Sequence, residues 1–153
     1  MPLQVFSAQI RYAKKGLPDA LDVTLASGTD GSFFAPSWAI LKPATVARRE
    51  AKRLRDSARR MPESMRLDVE TEAHNIEAKA WAEYEWWYLT EMRKSYRAHR
   101  WQWEDFLLRD RVVLCCYCAD GNMCHRAILR QKIFPKLGAV DCGELATIEA
   151  PIT

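Results

Sequence analysis

Hydrophobic and polar positions follow two different periods along the chain. LQVFSAQI at 3–10 is rich in β-compatible residues, and LDVTL at 21–25 places Leu21, Val23 and Leu25 on one face. RVVLCCYC at 111–118 is a nearly continuous apolar run, typical of a strand that is buried on both faces. These three stretches predict strands.

The middle of the chain, residues 43–109, has the periodicity of helices. An apolar stripe recurs at helical spacing from Ala47 to Met61, and Pro62 then predicts a break. After Pro62 no glycine or proline interrupts the pattern, so one long helix or two consecutive helices should follow. Upstream, Ser37 is a plausible N-cap and Pro43 suits a first helical turn.

The final part of the chain predicts a last helix, CHRAILRQKIFPKLG, that closes near Gly138. The order of elements favours a small α/β sandwich around a mainly parallel sheet. We expect a single domain over residues 1–153, with 43–109 as a helical insertion. In such sheets ligands bind beyond the carboxyl ends of the strands.

Composition supports this class and removes others. The chain has 153 residues, 48% hydrophobic and 28% charged, with a formal net charge of +3, which fits one globular domain. No apolar run has the length of a signal peptide or reaches the roughly 20 residues of a membrane span, so we expect a cytoplasmic protein. The chain has five cysteines, two of them adjacent, and this pattern argues against a disulfide framework.

The stretch CCYCADGNMCHR at 115–126 carries the candidate chemistry. Strand alternation puts Cys116 and Cys118 on one face, and Cys124, His125 and Arg126 should form the first turn of the next helix. A helix start favours anions and stabilises a thiolate. Cys118, Cys124 and His125 are therefore the predicted catalytic residues, with Arg126 binding an anionic group.

Three other readings of the same stretch stay open. Cys116, Cys118, Cys124 and His125 are zinc-type ligands, although their spacing is unlike a usual zinc finger and adjacent residues seldom ligate one ion. The turn could bind an anion without chemistry, or the cysteines could be small buried hydrophobes. CHRAILR also matches the C-x5-R spacing of cysteine phosphatases, but a helical course would carry Arg130 away from Cys124, and we reject that reading. No cofactor is assigned beyond the zinc alternative.

Several stretches resemble the domain-of-unknown-function 488 family of bacterial and phage proteins. They are SAQIRY at 7–12, LDVTLASG at 21–28, FAPSW at 34–38, VVLCCYC at 112–118, CHR at 124–126 and GEL at 143–145. The resemblance implies a Rossmann-like three-layer α/β fold and one cleft shared by Asp22, the Ser27 loop and the CHR turn. We therefore place Asp22, Thr24 and Ser27 on the ligand-binding side of the cleft, opposite the cysteines. The ligand class we expect is a small anion, a nucleotide or a nucleic-acid fragment.

A second hypothesis, a non-catalytic nucleic-acid- or protein-binding module, rests on the helical middle. One helix face carries a basic ridge at i, i+4, i+7 and i+11, formed by Arg48, Lys52, Arg55 and Arg59. The interpretation we favour for the ridge is a solvated face paired with the following acidic helix. The Trp-rich helices indicate core packing or a homo-oligomer contact.

Overall fold

The computed structural model describes residues 1–11, 16, 18–25, 30–118 and 123–145. Its sheet has four strands, β1 (Gln4–Gln9), β2 (Ala20–Asp22), β3 (Arg111–Cys116) and β4 (Val140–Glu144), in the order β2-β3-β1-β4. Every strand pair is parallel. The predicted α/β class with a mainly parallel sheet is therefore confirmed.

Strand β3 lies between β1 and β2, and this position explains its apolar sequence. Residues 112–116 are all buried, as a strand covered on both faces requires. Gln9 lies in register with Cys116, and Asp22 lies in register with Cys115. Strand β4 was not predicted, because VDCGE is mostly polar and lies at the edge of the sheet.

Strand β2 is shorter than the LDVTL pattern predicts. The Asp22 carboxylate accepts hydrogen bonds from the backbone N–H of Thr24 (3.0 Å) and from its hydroxyl (2.7 Å), and this local turn ends the strand. Leu25 is consequently exposed. A short 3-10 helix, Asp30–Phe34, lies very close to the end of β2. A Cβ on Gly31 would lie 1.8 Å from the Asp22 carbonyl oxygen. Only glycine permits this approach.

Three helices occupy the middle of the chain: α1 (Trp38–Ala58), α2 (Glu63–Ala98) and α3 (Arg100–Leu107). The predicted break at Pro62 is confirmed. The predicted N-cap at Ser37 is confirmed, and helix α1 therefore begins before residue 43, with Pro43 inside the helix and not in its first turn. Since Pro43 is only the sixth residue, its missing N–H removes a single intrahelical bond, to the carbonyl of Ala39.

The chain divides into two compact units. One contains the described parts of residues 1–36 and 89–153, and the other is Ser37–Tyr88. Within the second unit, Arg55 forms a two-pronged ion pair with Glu77, at 2.6 and 3.0 Å. Trp81, Tyr84 and Tyr88 of α2 form a stack of rings.

The first unit has an aromatic core beside its sheet. Trp103 of α3 is fully buried, and its ring meets Phe34 and Phe134 at centroid distances of 5.0 and 6.0 Å. Its indole N–H donates to the Ser95 hydroxyl at 3.2 Å. Trp101, two residues earlier, is 70% exposed. Alternating exposure along α3 thus separates one core tryptophan from one surface tryptophan.

The last helical segment begins as α4 (His125–Ile128), widens to a π-helix over Leu129–Ile133 and tightens to a 3-10 helix over Phe134–Leu137. It ends at Gly138, whose φ of +95° is a left-handed C-terminal conformation. The predicted closure near Gly138 is confirmed. None of the described helices combines the length and the apolar composition of a membrane-spanning segment.

Candidate functional site

The carboxyl ends of the four strands meet at one edge of the sheet, because all four strands run parallel. Strand β3 ends there at Cys116, and α4 begins beside it with Cys124 at the N-cap position. Cys124 has an extended backbone (φ −150°, ψ 150°), whereas His125 is already helical. This change of backbone direction brings the Cys124 sulfur within 3.7 Å of the His125 Nδ1 atom.

His125 is buried, and its ring is held in one orientation. Its Nε2 atom lies 2.8 Å from the carbonyl oxygen of Val23. A carbonyl oxygen can only accept a hydrogen bond, so Nε2 carries the proton and Nδ1 keeps its lone pair. That lone pair faces sulfur on two sides, because Nδ1 is 3.7 Å from Cys124 Sγ and 3.9 Å from Cys116 Sγ.

Three cysteines contribute to this cluster, which we call the Cys–His cluster: Cys116, Cys118, Cys124 and His125. The sulfurs of Cys116 and Cys118 are 3.9 Å apart, which confirms that these two side chains share a face. Cys116 and Cys124 are buried, whereas Cys118 is half-buried and is the more accessible thiol. Cys115 instead lies on the opposite face of the sheet, in an apolar cluster with Ala8, Ile10 and Val113.

Mutual contact and burial keep Cys116, Cys124 and His125 uncharged. The hydrogen bond with Cys118 raises the pKa of the Cys116 thiol to about 11. The hydrogen bonds with Cys116 and Cys118 raise the pKa of Cys124 well above its ordinary value. Burial lowers the pKa of His125. At neutral pH Cys116 and Cys124 are therefore protonated thiols beside a neutral imidazole.

Arg126 is fully buried beneath the cluster, and Glu144 of β4 is its acidic partner. The guanidinium donates from Nη2 and Nε to Glu144 Oε1, at 2.8 and 3.1 Å. Its Nη1 atom donates to the Cys118 carbonyl oxygen at 2.8 Å and lies 3.7 Å from Cys124 Sγ. An external anion would have to replace Glu144 to reach this arginine, and the anion-binding role of Arg126 stays a prediction.

A second buried arginine extends the network along the same face. Arg130 Nε donates to the Ser7 hydroxyl at 2.9 Å, and its Nη1 donates to Asp141. The Ser7 hydroxyl in turn donates to Glu144. Arg130 is thus held by Asp141 and Ser7, away from Cys124, in the way that the helical course of CHRAILR predicts.

Ser7, Asp141 and Glu144 were not among the predicted site residues. Two of them lie in stretches quoted for the family resemblance, SAQIRY and GEL, which was the available signal. Asp141 had none, because β4 was not predicted. The carbonyl of Val23 could not have been found from side-chain types at all.

The predicted ligand-binding side of the cleft is described only in part. Asp22 is in register with Cys115, so its side chain leaves the face opposite to that of Cys116. Its carboxylate binds Thr24, which is buried. Ser27 lies outside the described residues. Ligand binding by Asp22, Thr24 and Ser27 stays a prediction.

The predicted basic ridge lies in the second unit and is partly neutralised there. Arg55 is paired with Glu77, and Arg59 lies 3.8 Å from Asp56. Arg48 and Lys52 are exposed. Glu77 of the acidic helix α2 thus neutralises Arg55, the most central arginine of the ridge. Nucleic-acid binding by these four residues stays a prediction.

Comparison with known proteins gives one family match. The model described as "DUF488-N3a: Active DUF488-N3 subclade" matches residues 68–136. The match includes VVLCCYC and CHR. It also covers most of the helical middle, where none of the stretches quoted for the resemblance lies. The resemblance to the domain-of-unknown-function 488 family is therefore confirmed. No curated protein and no solved structure gives a match.

Proposed function

We propose, from the premise that the chain resembles the domain-of-unknown-function 488 family, that it is an enzyme-like α/β domain with the Cys–His cluster as its reaction centre. Its ligand is anionic, in the class of nucleotides or nucleic-acid fragments. The matched family model is described as an active subclade, which agrees with an enzyme-like role. Binding sites at the carboxyl edge of a parallel sheet are also the rule for this class of fold.

The observation that carries the proposal is the orientation of His125. Its Nε2–H is fixed on the Val23 carbonyl at 2.8 Å, so its Nδ1 lone pair points at the sulfurs of Cys116 and Cys124. Both ring nitrogens thus have buried partners, and those of Nδ1 are thiols. In the proposed centre, Nδ1 accepts a proton and the half-buried Cys118 thiol meets the ligand.

The geometry favours one position for the anionic group of the ligand, beside the guanidinium of Arg126. Arg126 has no exposed side-chain surface, but the Glu144 side chain that covers its guanidinium is 32% exposed. An incoming phosphate or carboxylate can take the two-pronged position that Glu144 occupies. Glu144 then acts as an internal substitute for the acidic group of the ligand.

Binding of defined anionic probes tests the proposal. A nucleoside diphosphate and a short single-stranded DNA are titrated against the wild type, His125→Ala, Cys118→Ser and the matched control Cys142→Ser, whose thiol lies in β4 outside the cluster. We expect the two cluster variants to lose at least about tenfold in affinity, or about 1.4 kcal/mol, and Cys142→Ser to lose none. Glu144→Gln, which removes the competing charge, should bind more tightly.

Other outcomes would contradict the proposal. Equal affinities of the wild type and both cluster variants would separate binding from the cluster. A loss of binding in Arg48→Glu with Arg55→Glu instead, together with a steep fall in affinity as salt rises, would favour a nucleic-acid-binding module. Circular dichroism of each variant shows whether its fold is intact.

A further inference from the structure

Three donor atoms of the Cys–His cluster have the spacing of ligands around one metal ion. Cys116, Cys124 and His125 are all buried, and their donor atoms all lie within 4.8 Å of one another. With zinc–sulfur bonds of about 2.3 Å and zinc–nitrogen bonds of about 2.0 Å, a tetrahedral site separates two sulfurs by about 3.8 Å and a sulfur and a nitrogen by about 3.5 Å. The two sulfur–Nδ1 distances of 3.7 and 3.9 Å need only a few tenths of an ångström of adjustment.

The atoms around these donors are those that metal ligands ordinarily have. A ligating histidine donates its other ring N–H to a carbonyl or carboxylate, which fixes the ring, and His125 Nε2 lies 2.8 Å from the Val23 carbonyl oxygen. A ligating thiolate usually accepts hydrogen bonds, and Arg126 Nη1 lies 3.7 Å from Cys124 Sγ. The outer contacts of the site are thus already in place.

Charge balance favours two thiolate ligands. Among the described residues, the two buried arginines beside the site are each paired, Arg126 with Glu144 and Arg130 with Asp141, so these pairs add no net charge. Two thiolates neutralise one divalent cation, while their protons pass to water and His125 binds as the neutral imidazole. Sulfur and imidazole ligands select zinc over magnesium or calcium.

We propose that Cys116, Cys124 and His125 bind one zinc ion, with the fourth coordination position open beside Cys118. Cys118 is half-buried and lies 3.9 Å from Cys116, but it is not one of the three mutually close donors. An open position is characteristic of catalytic rather than structural zinc. The inference deepens the proposed function by placing a metal ion, in place of a proton, at Nδ1, and its last part, the anionic ligand at the open position, rests on that function.

Metal content tests the proposal directly. The full chain is reduced, incubated with zinc, passed through a desalting column and analysed for zinc and protein. We expect about one zinc per chain in the wild type, Cys118→Ser and Cys142→Ser, and loss of the zinc in Cys116→Ser, Cys124→Ser and His125→Ala. Cobalt substitution of the wild type adds a readout that needs no variant: tetrahedral thiolate ligation gives intense visible and near-ultraviolet absorption.

A wild type that retains no zinc, or that gives only the weak spectrum of hydrated cobalt, would overturn the site. Loss of zinc in Cys118→Ser would overturn the open position, since Cys118 would then be a fourth ligand. The two proposals fail separately. Anion binding that depends on His125 in zinc-free protein would leave the proposed function standing without the metal, whereas zinc binding without any anion binding would do the reverse.

Discussion

Replacement of Trp103 by alanine is expected to lower the free energy of unfolding by about 4 kcal/mol. The indole is fully buried among Phe33, Phe34 and Phe134, with ring centroids 5.0 to 6.0 Å away. Its removal takes a large apolar surface out of the core, leaves a cavity and leaves the Ser95 hydroxyl without its indole donor. Denaturant unfolding followed by circular dichroism measures the loss.

The control for this prediction is the same substitution two residues earlier. Trp101 is 70% exposed, so Trp101→Ala should change the free energy of unfolding by no more than about 0.5 kcal/mol. Similar losses at the two positions would contradict the packing of α3. The two variants also test whether Trp101 contributes to an oligomer contact. If the Trp-rich helices form such a contact, Trp101→Ala alone should lower the molecular mass measured in solution.

Replacement of Arg126 by methionine is expected to cost about 3 kcal/mol of stability. The methionine fills a similar volume, but it leaves Glu144 without its cation and the Cys118 carbonyl without its donor. A lost partner is costly when the remaining polar groups are removed from water. Thermal and denaturant unfolding measure the change.

Two further variants keep this prediction testable if Arg126→Met does not fold. Arg126→Lys retains the charge but not the two-pronged geometry, and should lose a smaller part of the stability. Arg100 forms an exposed pair with Glu104, and Arg100→Met should cost less than about 1 kcal/mol. Equal costs for Arg126→Met and Arg100→Met would show that the buried pair has no special role.

The sheet and the position of the site could largely be predicted from the sequence, since both depend on local patterns. The apolar run that ends at Cys116 predicts a buried strand by composition alone. Gly138 and Pro62 mark helix ends through backbone preferences that act within a few residues. Strand β4 could not be predicted, because VDCGE pairs with β1 through its backbone and has no apolar alternation of its own.

The internal arrangement of the site could not be predicted, because it depends on contacts between distant parts of the chain. Spacing rules argued against Cys124 and His125 as ligands of one ion, yet the extended backbone at Cys124 and the helical backbone at His125 turn both side chains to the same point. Arg126 was expected to face an external anion. Glu144, 18 residues later in the chain, accepts hydrogen bonds from this guanidinium instead. Only the register of β4 against β1 brings the two side chains together.

The tautomer of His125 tests the central claim most directly, because both proposals require its Nδ1 lone pair to face the cysteine sulfurs. Long-range proton–nitrogen NMR of ¹⁵N-labelled protein at neutral pH distinguishes the two ring nitrogens, and His125→Ala assigns the signal among the three histidines. We predict a neutral ring protonated at Nε2, with Nδ1 unprotonated and shifted when zinc is added. A ring protonated at Nδ1, or an imidazolium, would contradict the account.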